Sequence, residues 1–254
     1  MRGDWLEALE KTECVHRDSG WVPLHLGLWD EGRLIGVAPT YAKTHSMGEF
    51  VYDWAWASFS ERMGRPYYPK LVVGSPFSPV TGERLIVAEP GAREPLLRAL
   101  LLLAEKTETS GLHVQFCAEA EALELAALGG HHRIQLQFHW HNRDYGDFED
   151  FLQGLRSKRR KSIRRERRKV LESYEVRVLE GVEIGENDIR TMSEFYRNTC
   201  VRYGAWDYLK PEMWEWMSEH CRERLVLFMA YEKGSAVAGS FCVRNRDQLF
   251  GRYW

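Results

Sequence analysis

Three side chains in the first half of the chain could act as a general base. They are the imidazole of His45 and the carboxylates of Glu49 and Asp53, and each could accept a proton alone. Polar and aromatic residues alternate from Glu49 to Trp56, which predicts a β-strand with both carboxylates on one face. At the strand rise, positions four residues apart are separated by roughly 13 Å. We therefore do not expect a close carboxylate pair, and the choice of base stays open among the three.

A second group of residues could bind an anion. Between Arg156 and Lys169 the chain has ten Lys or Arg and one acid, Glu166, and such density usually meets phosphate, nucleic acid or a membrane surface. If Ser157 caps a helix, cations in its first turn oppose the helix dipole at ~0.3–1 kcal/mol each, which a bound anion would offset. If one helix continues from Asp147, this argument does not hold and a solvated face is the simpler interpretation. The candidate anion ligands are Lys158, Arg160, Lys161, Arg164 and Arg165.

Other polar side chains could line a substrate cleft. Tyr68 and Lys70 precede an irregular loop that contains several prolines, and Arg84 follows it; such loops often shape pockets, although a plain crossover is an alternative. His139 and His141 share one face of a predicted strand. Two such histidines can bind zinc only with a third ligand, which the sequence does not reveal. We therefore expect hydrogen bonding in a cleft between the domains and no metal.

Alternating strands and helices must position these groups. Hydrophobic periodicity and turn residues predict two domains, residues 1–143 and 144–254. Because the chain stops within a strand, we expect the second domain to be incomplete. In one interpretation the first domain lacks its opening strand. The strands are predicted at 22–28, 34–41, 49–56, 67–73, 112–116, 134–140, 174–179, 225–231, 236–244 and 248–254, and the helices at 58–63, 94–107, 119–128, 147–155, 158–172, 188–201 and 211–221.

Composition excludes several classes of protein. The 254 residues are 44% hydrophobic and 28% charged, with a net charge of −2, which is typical of a globular protein and not of a disordered or fibrous one. The sequence shows neither an apolar run of the ~20 residues that a membrane span needs nor a secretory signal, so we expect a cytoplasmic protein. Five scattered cysteines without paired spacing argue against a disulfide framework and a structural zinc site. A P-loop, a dinucleotide-binding glycine motif and a nucleophile elbow are also absent.

The order of elements in the second half, a strand, two helices and a three-strand meander, resembles the opening of the GNAT acyltransferase fold. Two such domains in tandem, the second opened by a basic helix at 157–172, resemble the Fem family of peptidoglycan aminoacyltransferases, and most closely a bacterial FemAB-like family. This resemblance implies an α/β (α+β) fold with mixed, mainly antiparallel sheets flanked by helices. The matching stretches cover nearly the whole chain and are residues 43–56, 67–71, 76–82, 136–142, the basic helix and 251–254.

The resemblance also implies a reaction, the transfer of an acyl or aminoacyl group to an amine of a cell-wall precursor. The donor stays open between an acyl-CoA and an aminoacyl-tRNA, because the glycine-containing turn that holds CoA pyrophosphate is missing after Trp56. The expected partners are a phosphate-bearing substrate at the basic helix and, as a second candidate, tRNA. The alternative is a non-catalytic module that binds an anionic glycan precursor or RNA. Its binding would survive the loss of Asp53, Glu49 and His45.

Overall fold

The computed structural model describes residues 3–254. These residues form two compact units. One contains the chain up to His132 together with Tyr208–Met213, and the other contains Arg133–Asp207 and Trp214–Trp254. The boundary expected between residues 143 and 144 lies within the second unit, and the short return of the chain at 208–213 was not anticipated.

The first unit has two sheets. In the larger sheet the order is β1-β4-β5-β7, in which β7 runs parallel to β5 and the other neighbours are antiparallel; the smaller sheet, β2-β3-β6, is antiparallel. The elements are α1 (Gly3–Lys11), β1 (Trp21–Pro23), β2 (Leu26–Asp30), β3 (Arg33–Ala38), β4 (Thr40–Lys43), α2 (Trp54–Arg62), β5 (Lys70–Val73), β6 (Ile86–Val87), α3 (Arg93–Lys106), β7 (Leu112–Val114) and α4 (Glu119–Ala127).

Leucines of α3 form the centre of a core in this unit. Leu96 and Leu100 are one helical turn apart, so they lie on the same face of α3, and both are fully buried. They belong to one cluster with Ala38 of β3, Val73 of β5 and Leu85. The helix predicted at 94–107 is confirmed, and its packing fixes one end of β5, the strand whose other end begins at the candidate site.

The strand predicted at 49–56 is wrong. Phe50 has a φ of +57°, so the chain turns there, and α2 begins directly after Asp53. The alternating aromatic residues misled the prediction, because Trp54 and Trp56 are exposed and do not face a core. The period of two therefore reflects solvent-facing rings at the start of a helix rather than the buried face of a strand.

The strand predicted at 134–140 is also wrong. No β-ladder includes this segment among residues 3–254. Its alternating apolar residues are exposed, with Ile134 and Phe138 at 91% and 93%. A strand needs a neighbour to satisfy its backbone N–H and C=O groups, and the described part of the chain supplies none here.

The second unit confirms the predicted order of a strand, two helices and three strands. Its single sheet has the order β11-β10-β9-β8 and is antiparallel throughout. The rings of Tyr196, Trp214 and Phe241 pack together at its centre. The elements are α5 (Phe148–Gln153), α6 (Ser157–Ser173), β8 (Glu175–Glu180), α7 (Glu186–Tyr203), α8 (Pro211–His220), whose first turn belongs to the first unit, β9 (Leu225–Glu232), β10 (Ser235–Arg244) and β11 (Leu249–Tyr253).

The basic segment forms a helix of its own. Asp147 caps α5 by accepting a hydrogen bond from the backbone N–H of Asp150 at 2.9 Å, and α5 ends before Gly154. α6 then starts at Ser157 with no side-chain cap, so a single continuous helix from Asp147 is excluded. No helix within residues 3–254 is long and apolar enough to cross a membrane.

Candidate functional site

A buried ammonium group lies at the centre of the candidate site. The Nζ atom of Lys70 lies 2.6 Å from Asp53 Oδ2, 3.0 Å from Glu49 Oε2 and 3.2 Å from Ser46 Oγ. The side chains of all three charged residues are fully shielded from solvent. Lys70 is the first residue of β5, and the loop between β4 and α2 brings the two carboxylates to it. The expected separation of roughly 13 Å is therefore wrong, because the chain from Glu49 to Asp53 turns instead of extending.

Two tyrosines lie beside this cluster on the side that reaches solvent. The hydroxyl of Tyr67 donates a hydrogen bond to Asp53 Oδ2 at 2.7 Å, and the hydroxyl of Tyr68 lies 2.7 Å from Ser46 Oγ. Lys70 Nζ is 5.1 and 5.6 Å from the centres of the two rings, within cation–π range. Both tyrosines are half-buried, so they separate the charged groups from water.

Each carboxylate of the cluster keeps one oxygen that has no hydrogen-bond partner among the described residues. Glu49 Oε2 accepts a short hydrogen bond from the side-chain amide of Gln115 and contacts Lys70. Glu49 Oε1 and Asp53 Oδ1 are buried and have no hydrogen-bond partner within residues 3–254. Buried polar atoms are rarely left unpaired, and an exception calls for an explanation such as a catalytic role or a missing water or ligand. These two oxygens keep unused hydrogen-bond acceptor capacity inside the cluster.

Local electrostatics make the two carboxylates unequal. Burial raises the pKa of Glu49 above its usual value, although Lys70 and Gln115 oppose the shift. Burial acts in the same direction on Asp53, but hydrogen bonds from Lys70 and other neighbours outweigh it and lower the pKa of Asp53. A base works best when its pKa approaches the ambient pH, so Glu49 is the better proton acceptor and Asp53 is the firmer ion-pair partner.

A second buried lysine lies next to the first. Lys43 ends β4, is fully buried, and donates a hydrogen bond to the carbonyl of Met47 at 3.1 Å. Its Nζ lies 4.1 Å from the centre of the Trp21 ring. Burial lowers the pKa of Lys43 to about 7, with the charge of Glu49 opposing and that of Lys70 adding to the shift. Near neutral pH this amine is therefore present in both its protonated and its neutral form.

The third predicted base, His45, lies at the edge of the same loop. Its Nδ1 accepts a hydrogen bond from the backbone N–H of Met47 at 3.1 Å, and burial, followed by the charge of Lys43, lowers its pKa. The imidazole is thus neutral near pH 7. Its role as a base stays a prediction, as do those of Glu49 and Asp53.

Arg84 lies inside the first unit. Its Nε donates to the carbonyl of Gln115 at 2.7 Å and one terminal nitrogen donates to the carbonyl of Val80 at 2.6 Å. Its own backbone N–H and that of Leu85 bond to the carboxylate of Glu121. The predicted phosphate contact of Arg84 would require these bonds to break. The observed bonds instead hold Gln115, whose side chain contacts Glu49.

His139 and His141 lie on the exposed segment that lacks a strand. Their rings stack with centres 6.1 Å apart, and His139 Nε2 lies 3.2 Å from Gln137 Oε1. Both belong to the second unit, whereas the carboxylate cluster belongs to the first. Their substrate-binding role stays a prediction. No group of three possible metal-ligating side chains is found in the part of the chain that the structure describes.

α6 presents two different kinds of cation. Arg160 donates to the carbonyl of Leu155 at 3.2 Å, Arg164 forms an ion pair with Glu149, and the guanidinium of Arg167 lies 4.4 Å from the centre of the Phe148 ring. Six other cations of α6 are exposed and have no acidic partner in the described chain. Four of them follow one another at spacings of three or four residues and therefore share one face of the helix, and we call these four the exposed basic stripe: Lys158, Lys161, Arg165 and Arg168.

Sequence reasoning did not assign three members of the buried cluster, which are Lys43, Ser46 and Gln115. One signal was available. A lysine at the start of the apolar run Lys70–Val73 and another at the end of Thr40–Lys43 lie in strands whose neighbours are buried. Because a buried ammonium group needs an acidic or carbonyl partner, two such lysines predict a carboxylate close to them.

Comparison with known proteins identifies the family. A family described as peptidoglycan biosynthesis/recognition, FemAB-like, matches residues 1–254, and the chain therefore belongs to the FemAB-like family. The crystal structure of FemX is similar, with 14% sequence identity and a TM-score of 0.41 over 89% of this chain and 51% of that one. The chain thus spans about half the length of that solved protein. No curated protein matches the chain significantly.

Proposed function

We propose that this FemAB-like chain transfers an acyl or aminoacyl group to an amine of a peptidoglycan precursor. The observation that carries the proposal is the cluster around Lys70, which holds one oxygen of Glu49 and one of Asp53 and leaves the second oxygen of each buried without a partner in the described residues. An amine is a hydrogen-bond donor that loses a proton when it attacks a carbonyl group. The two available oxygens supply the acceptor that this step needs.

In the proposed reaction Glu49 is the general base. The amine nitrogen attacks the carbonyl carbon of the donor, a C–N bond forms, and the proton on nitrogen passes to Glu49 Oε1. The bond between the carbonyl carbon and the leaving group, a thiol of CoA or a ribose oxygen of tRNA, then breaks, and the leaving group takes the proton. Asp53 keeps Lys70 in place between the two carboxylates. Burial raises the pKa of Tyr68, so its hydroxyl stays protonated and can donate to the oxyanion.

The exposed basic stripe is the proposed contact for phosphates of the donor or acceptor. Its four cations lie along roughly 15 Å of helix at 1.5 Å per residue. One phosphate group cannot contact cations over this length, so the stripe is better matched to a ligand with several phosphates. Of the residues predicted from the sequence, Lys158, Lys161 and Arg165 belong to it. Arg160 and Arg164 are engaged within the unit, so we assign them to holding α6 in position.

Two further points remain part of the proposal. The second unit has the predicted order of β8, α7, α8, β9, β10 and β11, which supports a GNAT-like half, and we extend that relation to both units in tandem. A cytoplasmic location is proposed with it, since the proposed donors are CoA or tRNA.

The test is a transfer assay with the complete natural protein. A UDP-linked muramyl peptide is the acceptor, acetyl-CoA and a mixed pool of aminoacyl-tRNA are donors in separate reactions, and mass spectrometry detects the product. We expect Glu49→Gln to lower turnover at least about 100-fold while acceptor binding stays within twofold. Glu105→Gln, on the exposed surface of α3, is the matched control and should keep full turnover.

A non-catalytic binding module is the second candidate. The observation that favours it is that both carboxylates already contact an internal lysine. This candidate predicts binding of the muramyl peptide with no product from any donor, and binding that is unchanged in Glu49→Gln and Asp53→Asn. That result would replace the transferase proposal. Equal turnover in wild type and Glu49→Gln would instead remove Glu49 from the mechanism.

A further inference from the structure

One face of α2 is apolar and exposed. Trp56, Phe59 and Met63 fall within about 60° of one another around the helix axis at 3.6 residues per turn. Their side chains are 64%, 58% and 64% exposed, and Ala57 is the one buried residue of α2. A surface helix normally turns its apolar residues toward the core. Trp56 and Phe59 of α2, with Met63 directly after its last residue, instead form a face that is directed to solvent, which we call the α2 apolar face: Trp56, Phe59 and Met63.

The size of the α2 apolar face argues against a second copy of the chain as its partner. Large apolar side chains of this kind present about 150–250 Å² each when fully accessible. At these exposed fractions the three side chains together offer about 300–450 Å². A stable protein–protein interface needs about 800 Å² from each partner. The face is therefore too small for a stable dimer, although it is large enough for shallow insertion into a softer surface.

The charges around the α2 apolar face favour an anionic surface. Arg62 is the last residue of α2, and Arg65 follows it closely; both side chains are exposed and neither has an acidic partner in the described residues. Glu61, also exposed, falls on the opposite side of the helix from the apolar face at 3.6 residues per turn. A ligand that approaches the apolar face thus meets Arg62 at its edge, whereas Glu61 is directed away from it.

The residue types point to a lipid rather than to a rigid polar ligand. Tryptophan is enriched where a protein crosses from the headgroups to the acyl chains of a bilayer. Phe59 and Met63 bring no hydrogen-bonding group of appreciable strength, so neither has polar atoms that would lose hydration on entering an apolar phase. A short amphipathic helix with bulky apolar residues on one face and arginine at its edge is the pattern of an interfacial helix.

We propose that α2 docks on the surface of an anionic phospholipid bilayer. The α2 apolar face enters the boundary between headgroups and acyl chains, and Arg62 and Arg65 contact lipid phosphates. The anchor is reversible, since three side chains supply far less buried area than a spanning helix. This inference concerns where the protein works. It stands apart from the proposed transfer reaction, because vesicle binding needs neither donor nor acceptor.

Vesicle flotation tests the proposal. The full chain is mixed with vesicles of phosphatidylglycerol and phosphatidylethanolamine, or of phosphatidylcholine alone, and the fraction that floats is measured at low and high salt. We expect flotation with the phosphatidylglycerol vesicles, weaker flotation with phosphatidylcholine, and a decrease at high salt. The variant Trp56→Glu/Phe59→Glu/Met63→Glu should reduce the floating fraction at least about tenfold.

A matched control separates insertion from a general loss of apolar surface. Leu101 and Leu102 of α3 are 48% and 56% exposed, and Leu101→Glu/Leu102→Glu should float like the wild type. Thermal unfolding of each variant establishes that it is folded. Absence of wild-type flotation with both vesicle types overturns the proposal, and so does equal flotation of the triple variant. If light scattering shows a dimer for the wild type and a monomer for the triple variant, the face binds a second copy of the chain, and the membrane proposal is overturned as well.

Discussion

Lys43 and Lys70 are direct partners across the antiparallel pair of β4 and β5, and both side chains are fully buried. Their situations differ. Lys70 contacts two carboxylates, whereas the hydrogen bond that Lys43 donates goes to a backbone carbonyl. Two adjacent cations in an interior repel each other, and the repulsion is relieved when one of them loses its proton. Lys43 is the group that does so, because burial, with a smaller contribution from the charge of Lys70, lowers its pKa to about 7.

The first prediction is that Lys43 makes the protein more stable as the pH rises above neutrality. Its pKa is about 7 in the folded state and 10.5 in the unfolded chain, so the unfolded state binds more protons between these values. The contribution of Lys43 to stability therefore increases with pH in this window, by up to about 1.4 kcal/mol per pH unit, whereas buried thiols such as Cys14, whose pKa is raised by burial, act in the opposite direction in both the wild type and the variant. Lys43→Met should remove most of this increase. Urea unfolding at several values between pH 7 and about 9.5, below the ordinary pKa of tyrosine, measures it.

The control for that prediction is Lys106→Met, at the exposed end of α3. It should retain the full pH dependence of the wild type. A Lys43→Met variant whose stability depends on pH as the wild type does would show that Lys43 stays protonated in the folded protein.

The second prediction concerns the counter-charge of the two carboxylates. Lys70→Met leaves Glu49 and Asp53 buried without their cation, and loss of one partner from a buried ion pair typically costs about 3–5 kcal/mol. The triple variant Lys70→Met/Glu49→Gln/Asp53→Asn should recover a large part of that loss, because no uncompensated charge remains. Chemical denaturation reports both changes. A loss below about 1 kcal/mol for the single variant would mean that the ion pairs are solvated.

The third prediction is that Gly48 is needed to form the loop that delivers Glu49. Its φ is +78°, and a Cβ atom there would lie 2.6 Å from Cε1 of Phe77. Gly48→Ala should therefore destabilise the protein by at least about 2 kcal/mol, from left-handed backbone strain and the steric clash together. Gly32 is a matched control, with a φ of +80° and nothing within 4 Å of the added Cβ. Gly32→Ala should cost about 1 kcal/mol, and equal costs at both positions in urea titrations would exclude the clash.

The fourth prediction separates the two faces of α6. Lys161→Gln/Arg165→Gln removes two cations of the exposed basic stripe, and the slope of log K against log salt for bulk tRNA should fall by roughly 0.7–0.9 for each phosphate that is no longer neutralised. Arg160→Gln/Arg164→Gln removes the same charge from residues with internal partners. It should change the slope less and lower stability by about 1 kcal/mol. Fluorescence anisotropy across a salt series gives the slopes, and identical slopes in the two variants would contradict the division.

Local sequence patterns were sufficient for the elements that depend on short-range spacing. The leucines of α3 repeat every three to four residues, and β9 carries a continuous apolar run that the turn at Lys233 and Gly234 separates from β10. In each case the pattern and the packing agree, because the buried face follows directly from the period of the element. The helix α6 was equally clear, since its charged residues exclude a buried strand.

The candidate site could not be predicted in the same way. Glu49, Asp53, Lys70 and Gln115 meet in space, although they lie on one loop and at two strand ends far apart in the sequence. Hydrophobic periodicity describes the faces of a single helix or strand. It contains no information on contacts between residues that are far apart in the sequence. The aromatic alternation after Glu49 added an error of its own, because exposed rings imitate the pattern of a strand.

Asp53 is both the residue that precedes α2 and an ion-pair partner of Lys70, and its carboxylate makes no cap hydrogen bond to the helix. A displacement of α2 relative to β5 would thus alter the distance from Asp53 Oδ2 to Lys70 Nζ. Suppose that a partner binds α2 more tightly when the helix is displaced than when it is not. That partner would then change the affinity of the two carboxylates for a ligand, and the ligand would change the affinity of α2 for the partner by the same factor. With such a displacement, the first turn of α2 would link binding at the surface of the helix to the ion pairs inside the protein.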